Sequence, residues 1–179
     1  MKRVCVFCGS SYGNRECYAV AAAALAKQIV NAGLGLVYGG SNCGLMKVLA
    51  DAALEKGGEV IGVIPQSMVV KEIAHTGLTD LRIVNSMHER KALMAGLSDA
   101  FIALPGGYGT LDEFCEILTW AQLGLHHKPC GILNVAGYYD QLLATFDHAA
   151  AEGFLKPRNR ATIISDDNPE SLIARLLIV

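Results

Sequence analysis

Seven short runs of apolar and β-branched residues recur along the chain: Arg3–Cys8, Leu34–Tyr38, Val60–Ile64, Leu81–Val84, Ala100–Leu104, Cys130–Asn134 and Thr162–Ser165. Most are continuously apolar rather than alternating, the pattern of strands buried on both faces of a parallel sheet. The stretches between them read as helices. Asn14–Asn31 is alanine-rich, and Leu111, Phe114, Cys115, Leu118, Gln122 and Leu125 lay a mainly apolar stripe at helical spacing. Strand alternating with helix requires right-handed crossovers, so the expected fold is α/β: a doubly wound, Rossmann-like parallel sheet of about seven strands with helices on both faces. No repeat, low-complexity tract or Pro-rich linker interrupts residues 1–179, which read as a single domain. The longest irregular stretch, Pro65–Thr79, has the length at which loops often serve as lids.

Composition excludes several functions. A chain that is 52% hydrophobic and 18% charged can bury enough apolar surface to fold. With 15 basic and 17 acidic residues its formal charge is −2, so it has no basic field for nucleic acid, and an anionic ligand must be small and held by local geometry. No apolar run approaches the roughly 18 residues that span a bilayer. Lys2 and Arg3 precede only the short run Val4–Cys8, too brief for a signal-peptide core, so a cytoplasmic protein without membrane contact is expected. The cysteines (Cys5, Cys8, Cys17, Cys43, Cys115, Cys130) read as reduced thiols. Cys5 and Cys8 form a C-x-x-C inside a strand, where residues three apart face opposite sides.

Three strand ends run into glycine-rich turns: Gly9-Ser10-Ser11-Tyr12-Gly13, Gly39-Gly40-Ser41-Asn42-Cys43-Gly44, and Pro105-Gly106-Gly107-Tyr108-Gly109-Thr110. In a parallel sheet all three open at the carboxyl ends of the strands, where ligands bind in doubly wound folds. Glycine lets backbone approach a ligand, and the helix beyond presents unpaired N–H groups to an anion, so a phosphate site is expected here. The chain lacks G-x-x-x-x-G-K-[ST], and no acidic residue ends the strand after the first turn to hold a dinucleotide ribose. A mononucleotide or sugar phosphate remains, with no bound cofactor.

Two segments have the form of capping boxes. Ser86-Met87-His88-Glu89 starts a helix and puts Arg90 and Lys91 near its beginning, where the helix dipole disfavours cations. Their anionic partner is either a surface carboxylate such as Glu89 or Asp99, or a phosphate or catalytic carboxylate. Thr110-Leu111-Asp112-Glu113 is the second, in which Glu113 reads either as a helix cap or as a carboxylate at the mouth of the phosphate crevice. A carboxylate beside a phosphate is unfavourable unless its charge has a use, such as activating water or stabilising an oxocarbenium ion. The remaining imidazoles suggest less. His126 and His127 are adjacent and diverge, so no metal site is expected; His75 and His148 read as surface residues, and His88 could approach the pocket beside Arg90.

Pro105-Gly106-Gly107-Tyr108-Gly109-Thr110-Leu111-Asp112-Glu113 resembles the PGGxGTxxE signature of the LOG (Lonely Guy) family, many of whose members were once labelled lysine decarboxylases. Val6–Ser11, Val37–Gly40, Gly44–Met46, Met87–Lys91 and Leu118–Gly124 match further stretches of that family in order. The resemblance implies a Rossmann-like homodimer, a single nucleotide-binding phosphoribohydrolase domain, that hydrolyses the N-glycosidic bond of AMP or N6-substituted AMP to free base and ribose 5-phosphate. It implies Arg90 and Glu113 as the catalytic pair. Substrate contacts are implied at Glu72, Arg90, Lys91, Gly106, Gly107, Tyr108, Gly109, Thr110, Leu111, Asp112 and Thr119, with Gly9, Ser10, Gly39, Gly40, Gly44 and Met87 from the other motifs. Plant members commonly carry glycine where Ser41 and Lys47 stand and often glutamate at Asp112. Two other readings are set beside it: a non-catalytic mononucleotide-binding or carrier module, favoured if Glu113 is only a cap, and a pyridoxal-phosphate decarboxylase, which needs a buried lysine.

Overall fold

The first apolar run, Arg3–Phe7 (β1), pairs in parallel on both edges, with Gly35–Tyr38 (β2) on one side and Ala100–Ala103 (β5) on the other. The computed structural model describes residues 1–69 and 74–178. From β2 the sheet continues through Val60–Pro65 (β3) to Asp80–Val84 (β4), and from β5 through Cys130–Leu133 (β6) to Ile163–Asp166 (β7). The order β4-β3-β2-β1-β5-β6-β7 is parallel throughout. The chain winds outward from β1 to β4 and then resumes on the far side of β1, so the β1/β5 boundary is the switch point at which ligands bind in such sheets.

All seven expected strands are present, their ends shifted by about a residue. β2, β3, β5 and β6 are buried along their whole length and β1 all but its first residue, while the edge strands β4 and β7 are partly exposed. The charges of β4, on Asp80 and Arg82, suit an edge that must resist further pairing. Helices Cys17–Asn31 (α1), Gly44–Glu55 (α2), Met87–Leu97 (α3), Tyr108–Gln122 (α4), Asp140–Ala151 (α5), Pro157–Arg160 (α6) and Pro169–Ile178 (α7) complete the described fold. The first of them begins at Cys17 rather than Asn14, because the preceding residues form a turn in which Tyr18 N–H donates to Arg15 O.

Each face of the sheet has its own core. Leu25, Ile29, Leu49 and Leu172 from α1, α2 and α7 bury Val4, Val6 and Leu36 on one face. Met94 and Phe114 from α3 and α4 bury Cys5, Phe7, Val37 and Phe101 on the other. Cys5 and Cys8 thus lie in opposite cores as buried free thiols, as their spacing requires. Burial alone pushes the Cys130 thiol up to about 12. Among the described residues no helix is long and apolar enough to cross a membrane.

The three glycine turns meet at the switch point and bind one another. Gly9 N–H donates to Pro105 O at 3.1 Å, Leu104 N–H to Phe7 O at 2.9 Å, and Leu45 N–H to Gly9 O at 3.1 Å. Gly44, which opens α2 at φ 54°, sits so close under the first turn that a Cβ would overlap the backbone of Ser10 and Ser11. Left-handed strain and overpacking act together there, so Gly44→Ala is expected to destabilise the protein by about 3 kcal/mol. Gly96 lies in α3 with nothing near a Cβ, and Gly96→Ala is expected to stabilise by about 0.5–1 kcal/mol. Denaturant unfolding of the two variants checks both signs.

Candidate active site

Arg90 occupies the second turn of α3 and is 7% exposed. A buried guanidinium is tolerable only if its donors are met. The β2–β3 ladder ends at Tyr38↔Gly62, and the next carbonyls along accept from Arg90: Val63 O from Nε at 3.0 Å and Gly39 O from Nη2 at 3.2 Å. Met87 Sδ lies 4.0 Å from Nη1. Gly39 must be glycine here, since a Cβ would occupy the place of the guanidinium.

The charge of Arg90 is met by Glu113, whose Oε1 accepts from Nη1 at 2.9 Å; both side chains are 8% exposed. This decides between the two readings of each residue. Glu89 is not the partner of Arg90: its Oε2 accepts from Asn85 N–H while Ser86 Oγ accepts from Glu89 N–H, a reciprocal cap displaced by one residue. Asp99 instead accepts from the backbone N–H groups of Lys2 and Arg3. The second expected capping box does not form. α4 starts at Tyr108 with Gly107 as its N-cap, so Thr110 is already inside the first turn and Glu113 lies in the second, facing α3. Glycines at the turn let the helix begin earlier than the Thr110 signal suggested.

The N-cap of α4, Gly107, has no side chain to cap the helix, and the N–H groups of the first turn face the switch point. They open into a cavity of about 270 Å³ that also receives Arg90 and Glu113. Of the residues expected to bind substrate, it gathers Gly9, Ser10, Gly39, Met87, Gly107, Tyr108, Gly109 and Thr110. Gly106 lies one step aside, with Pro105, on a neighbouring cavity of about 300 Å³. Gly40 and Gly44 shape the turns without lining the cavity, and Leu111 packs into the core beneath α4. Lys91 binds Asp112 at 3.0 Å and Glu116 at 3.2 Å; burial draws its pKa down, but these two bonds more than offset it and hold the ammonium above its ordinary value. Thr119 does not reach the cavity of its own chain. Its hydroxyl donates to Cys115 O, and it lines a separate apolar groove with Leu118, Phe146 and Phe154. Glu72 lies outside the described residues.

The cavity also has walls that residue chemistry did not announce: Val6, Phe7 and Cys8 from the end of β1, Met46 from α2, and Met68 from the loop after β3. Cys8 cannot serve as a nucleophile, because burial and the nearby Glu113 charge drive its thiol far above the range in which thiolate forms. The imidazoles play other parts. His88 and His148 are exposed and His88 is not a cavity wall. His126 accepts from Lys128 N–H through Nδ1, so Nε2 donates to Ile117 O, and both nitrogens serve backbone. His75, expected at the surface, is 8% exposed.

Known proteins resemble this chain in sequence and in fold. A family model described as "Possible lysine decarboxylase" matches residues 46–176. A cytokinin riboside 5′-monophosphate phosphoribohydrolase of Arabidopsis thaliana is 53% identical over 175 residues, covering 98% of this chain and 77% of that protein. One of Rhodococcoides fascians is 52% identical over 176 residues, covering 98% and 89%. Among solved structures, the molybdenum cofactor binding protein from the phototrophic bacterium Rippkaea orientalis aligns over 100% of this chain and 99% of its own with a TM-score of 0.74 at 22% identity, a likeness of fold alone.

Removing one member of a buried ion pair strands the other. Arg90→Met and Glu113→Gln are each expected to lower stability, with a coupling energy of about 1–3 kcal/mol between them. A double-mutant cycle by denaturant unfolding measures it, and additive effects would contradict a shared buried pair.

Proposed function

The chain belongs to the LOG family of cytokinin riboside 5′-monophosphate phosphoribohydrolases, and from that premise we propose that it hydrolyses AMP and N6-substituted AMP at the cavity where Arg90 and Glu113 meet. It is an N-glycosidase: the bond from C1′ to the base nitrogen breaks, the oxygen of water joins C1′, and one proton of that water ends on the released base. The products are free base and ribose 5-phosphate. The observation that carries the assignment is the buried Arg90–Glu113 pair, 2.9 Å apart, opening into the same cavity as the uncapped start of α4.

The 5′-phosphate sits against the N–H groups of the Gly107–Thr110 turn, with the Thr110 hydroxyl as a further donor, and this fixes the ribose. Glu113 faces the anomeric carbon, where it activates water or stabilises the positive charge that develops as the base departs. Arg90 holds that carboxylate in place through the bond from Nη1 to Oε1. The base lies toward Met46, Met68 and Met87, three flexible, polarizable walls that suit an apolar N6 substituent.

A carrier module that binds nucleotide without consuming it is favoured if Glu113 is only a cap; Gly107 is the N-cap of α4, and Glu113 lies in the second turn bonded to Arg90. Pyridoxal-phosphate chemistry needs a lysine in the site, and among the described cavity walls there is none. We place one domain, reduced thiols and a cytoplasmic setting together in this reading, and a homodimer with them. The support for a dimer is the exposure of Tyr108 (94%), Leu123 (66%) and Phe154 (88%) along and beside α4, with Asp112 and Thr119 on its outer side. A second copy packed there brings Thr119 to a site that its own chain does not give it.

The test is incubation with AMP, N6-isopentenyl-AMP, adenosine and ATP, followed by detection of free base and ribose 5-phosphate. Only the monophosphates are expected to be cleaved, the N6-alkylated one with the higher kcat/KM. Glu113→Gln and Arg90→Ala are each expected to lose about 10²- to 10³-fold in kcat while remaining folded. Near wild-type turnover in either would sink the assignment.

A further inference from the structure

His75 has no part in the chemistry described above, yet it is buried and its backbone N–H and both ring nitrogens are engaged. Its backbone N–H donates to Gly40 O at 3.1 Å, and the neighbouring Ala74 forms an antiparallel bridge with Ser41. On the ring, Nδ1 accepts from Gly77 N–H at 3.1 Å, which leaves Nε2 as the donor to Asp51 Oδ1 at 2.9 Å. Asp51 projects from α2, where Lys47 one turn earlier binds its other oxygen at 2.6 Å. Burial raises the Asp51 pKa, but the bonds from Lys47 and His75 outweigh it and hold the carboxyl below its ordinary value, so the acceptor is charged.

These contacts join the returning end of the loop after β3 to the Gly39–Ser41 turn and to α2, into which that turn leads. The same turn carries the Gly39 carbonyl that accepts from Arg90. The turn has no side-chain anchor of its own at Gly39 or Gly40, so whatever presses it against α2 also sets where the Arg90 guanidinium rests. We propose that His75 is a positioning residue for the Arg90–Glu113 pair, latching the Gly39–Ser41 turn to Asp51 and so fixing the carbonyl that holds Arg90. The inference rests on Arg90 and Glu113 being the catalytic pair. It assigns His75 and Asp51 an effect on the chemical step although neither lines the cavity.

The two ring nitrogens can be separated by substitution. In His75→Gln the amide nitrogen reaches about as far as Nε2 and can still donate to Asp51; in His75→Asn the amide oxygen stands near Nδ1 and keeps the Gly77 bond, but Asp51 is out of reach. Steady-state assays with N6-isopentenyl-AMP are expected to show His75→Asn about tenfold lower in kcat with KM within about twofold, and His75→Gln within about threefold of wild type. Asp51→Asn, which keeps an oxygen for Nε2 to bind, is expected to behave like His75→Gln and Asp51→Ala like His75→Asn, so this second pair reads the same contrast should His75→Asn fail to fold. In an Arg90→Lys background His75→Asn is expected to cost less than in the wild type, since its target is already displaced. Equal losses in the Asn and Gln variants, a loss wholly in KM, or unchanged kcat in His75→Asn would overturn the latch. Full activity in Arg90→Ala would instead overturn the catalytic assignment beneath it, so the two failures are distinct.

Discussion

A guanidinium placed at the end of a parallel sheet and closed off from water has to find an acceptor for each of its donors, and much of the local architecture follows from that requirement. Arg90 takes Val63 O from β3, Gly39 O from the turn after β2, and the carboxylate of Glu113 from α4. One side chain thus ties the ends of β2 and β3, already paired in the sheet, to α4. In a low-dielectric setting such a network is costly when half satisfied and rigid when complete. The absence of a Cβ at Gly39 is part of the same arrangement, because it lets the guanidinium lie against the backbone.

The fold was readable because its central strands are buried on both faces, and a strand in that position has little choice but to be continuously apolar. The edge strand β4 was readable for a different reason, since Leu81, Ile83 and Val84 still supply enough apolar surface to be seen despite Asp80 and Arg82. The glycine turns were legible in kind and in place. Local signals failed where tertiary context overrode them. Thr110 and Glu113 have the spacing of a capping box, but the glycines before them let α4 begin at Tyr108 and turn Glu113 toward Arg90. The partnership of Arg90 with Glu113 spans 23 positions and is not encoded in any local pattern.

His75 and the methionine walls show the other limit. A histidine in a long irregular loop gives no sign of burial, because its partner Asp51 lies on a helix 24 residues away. Leu78 of the same loop packs into the space that Gly62 leaves in β3, a contact that no local pattern announces. Met46 and Met68 lie before and after β3, and only the parallel crossover brings both to the same strand ends as Gly9 and Gly107.

The near-neutral charge of the chain takes on a physical meaning once the site is assembled. Among the described residues, Arg90 is paired with Glu113 and Lys91 with Asp112 and Glu116, so each of these cations has its charge met by carboxylate. In the proposed reaction the phosphate is held by N–H dipoles at the start of α4, which are fixed in direction and need no counter-charge of their own. That division keeps the Glu113 carboxylate, buried beside Arg90, for the anomeric carbon. A basic phosphate site would draw Glu113 toward its cations and away from the ribose. On the proposed reading a backbone cradle takes the anion at one end of the cavity and leaves the charge at the other end to the geometrically constrained Arg90–Glu113 pair.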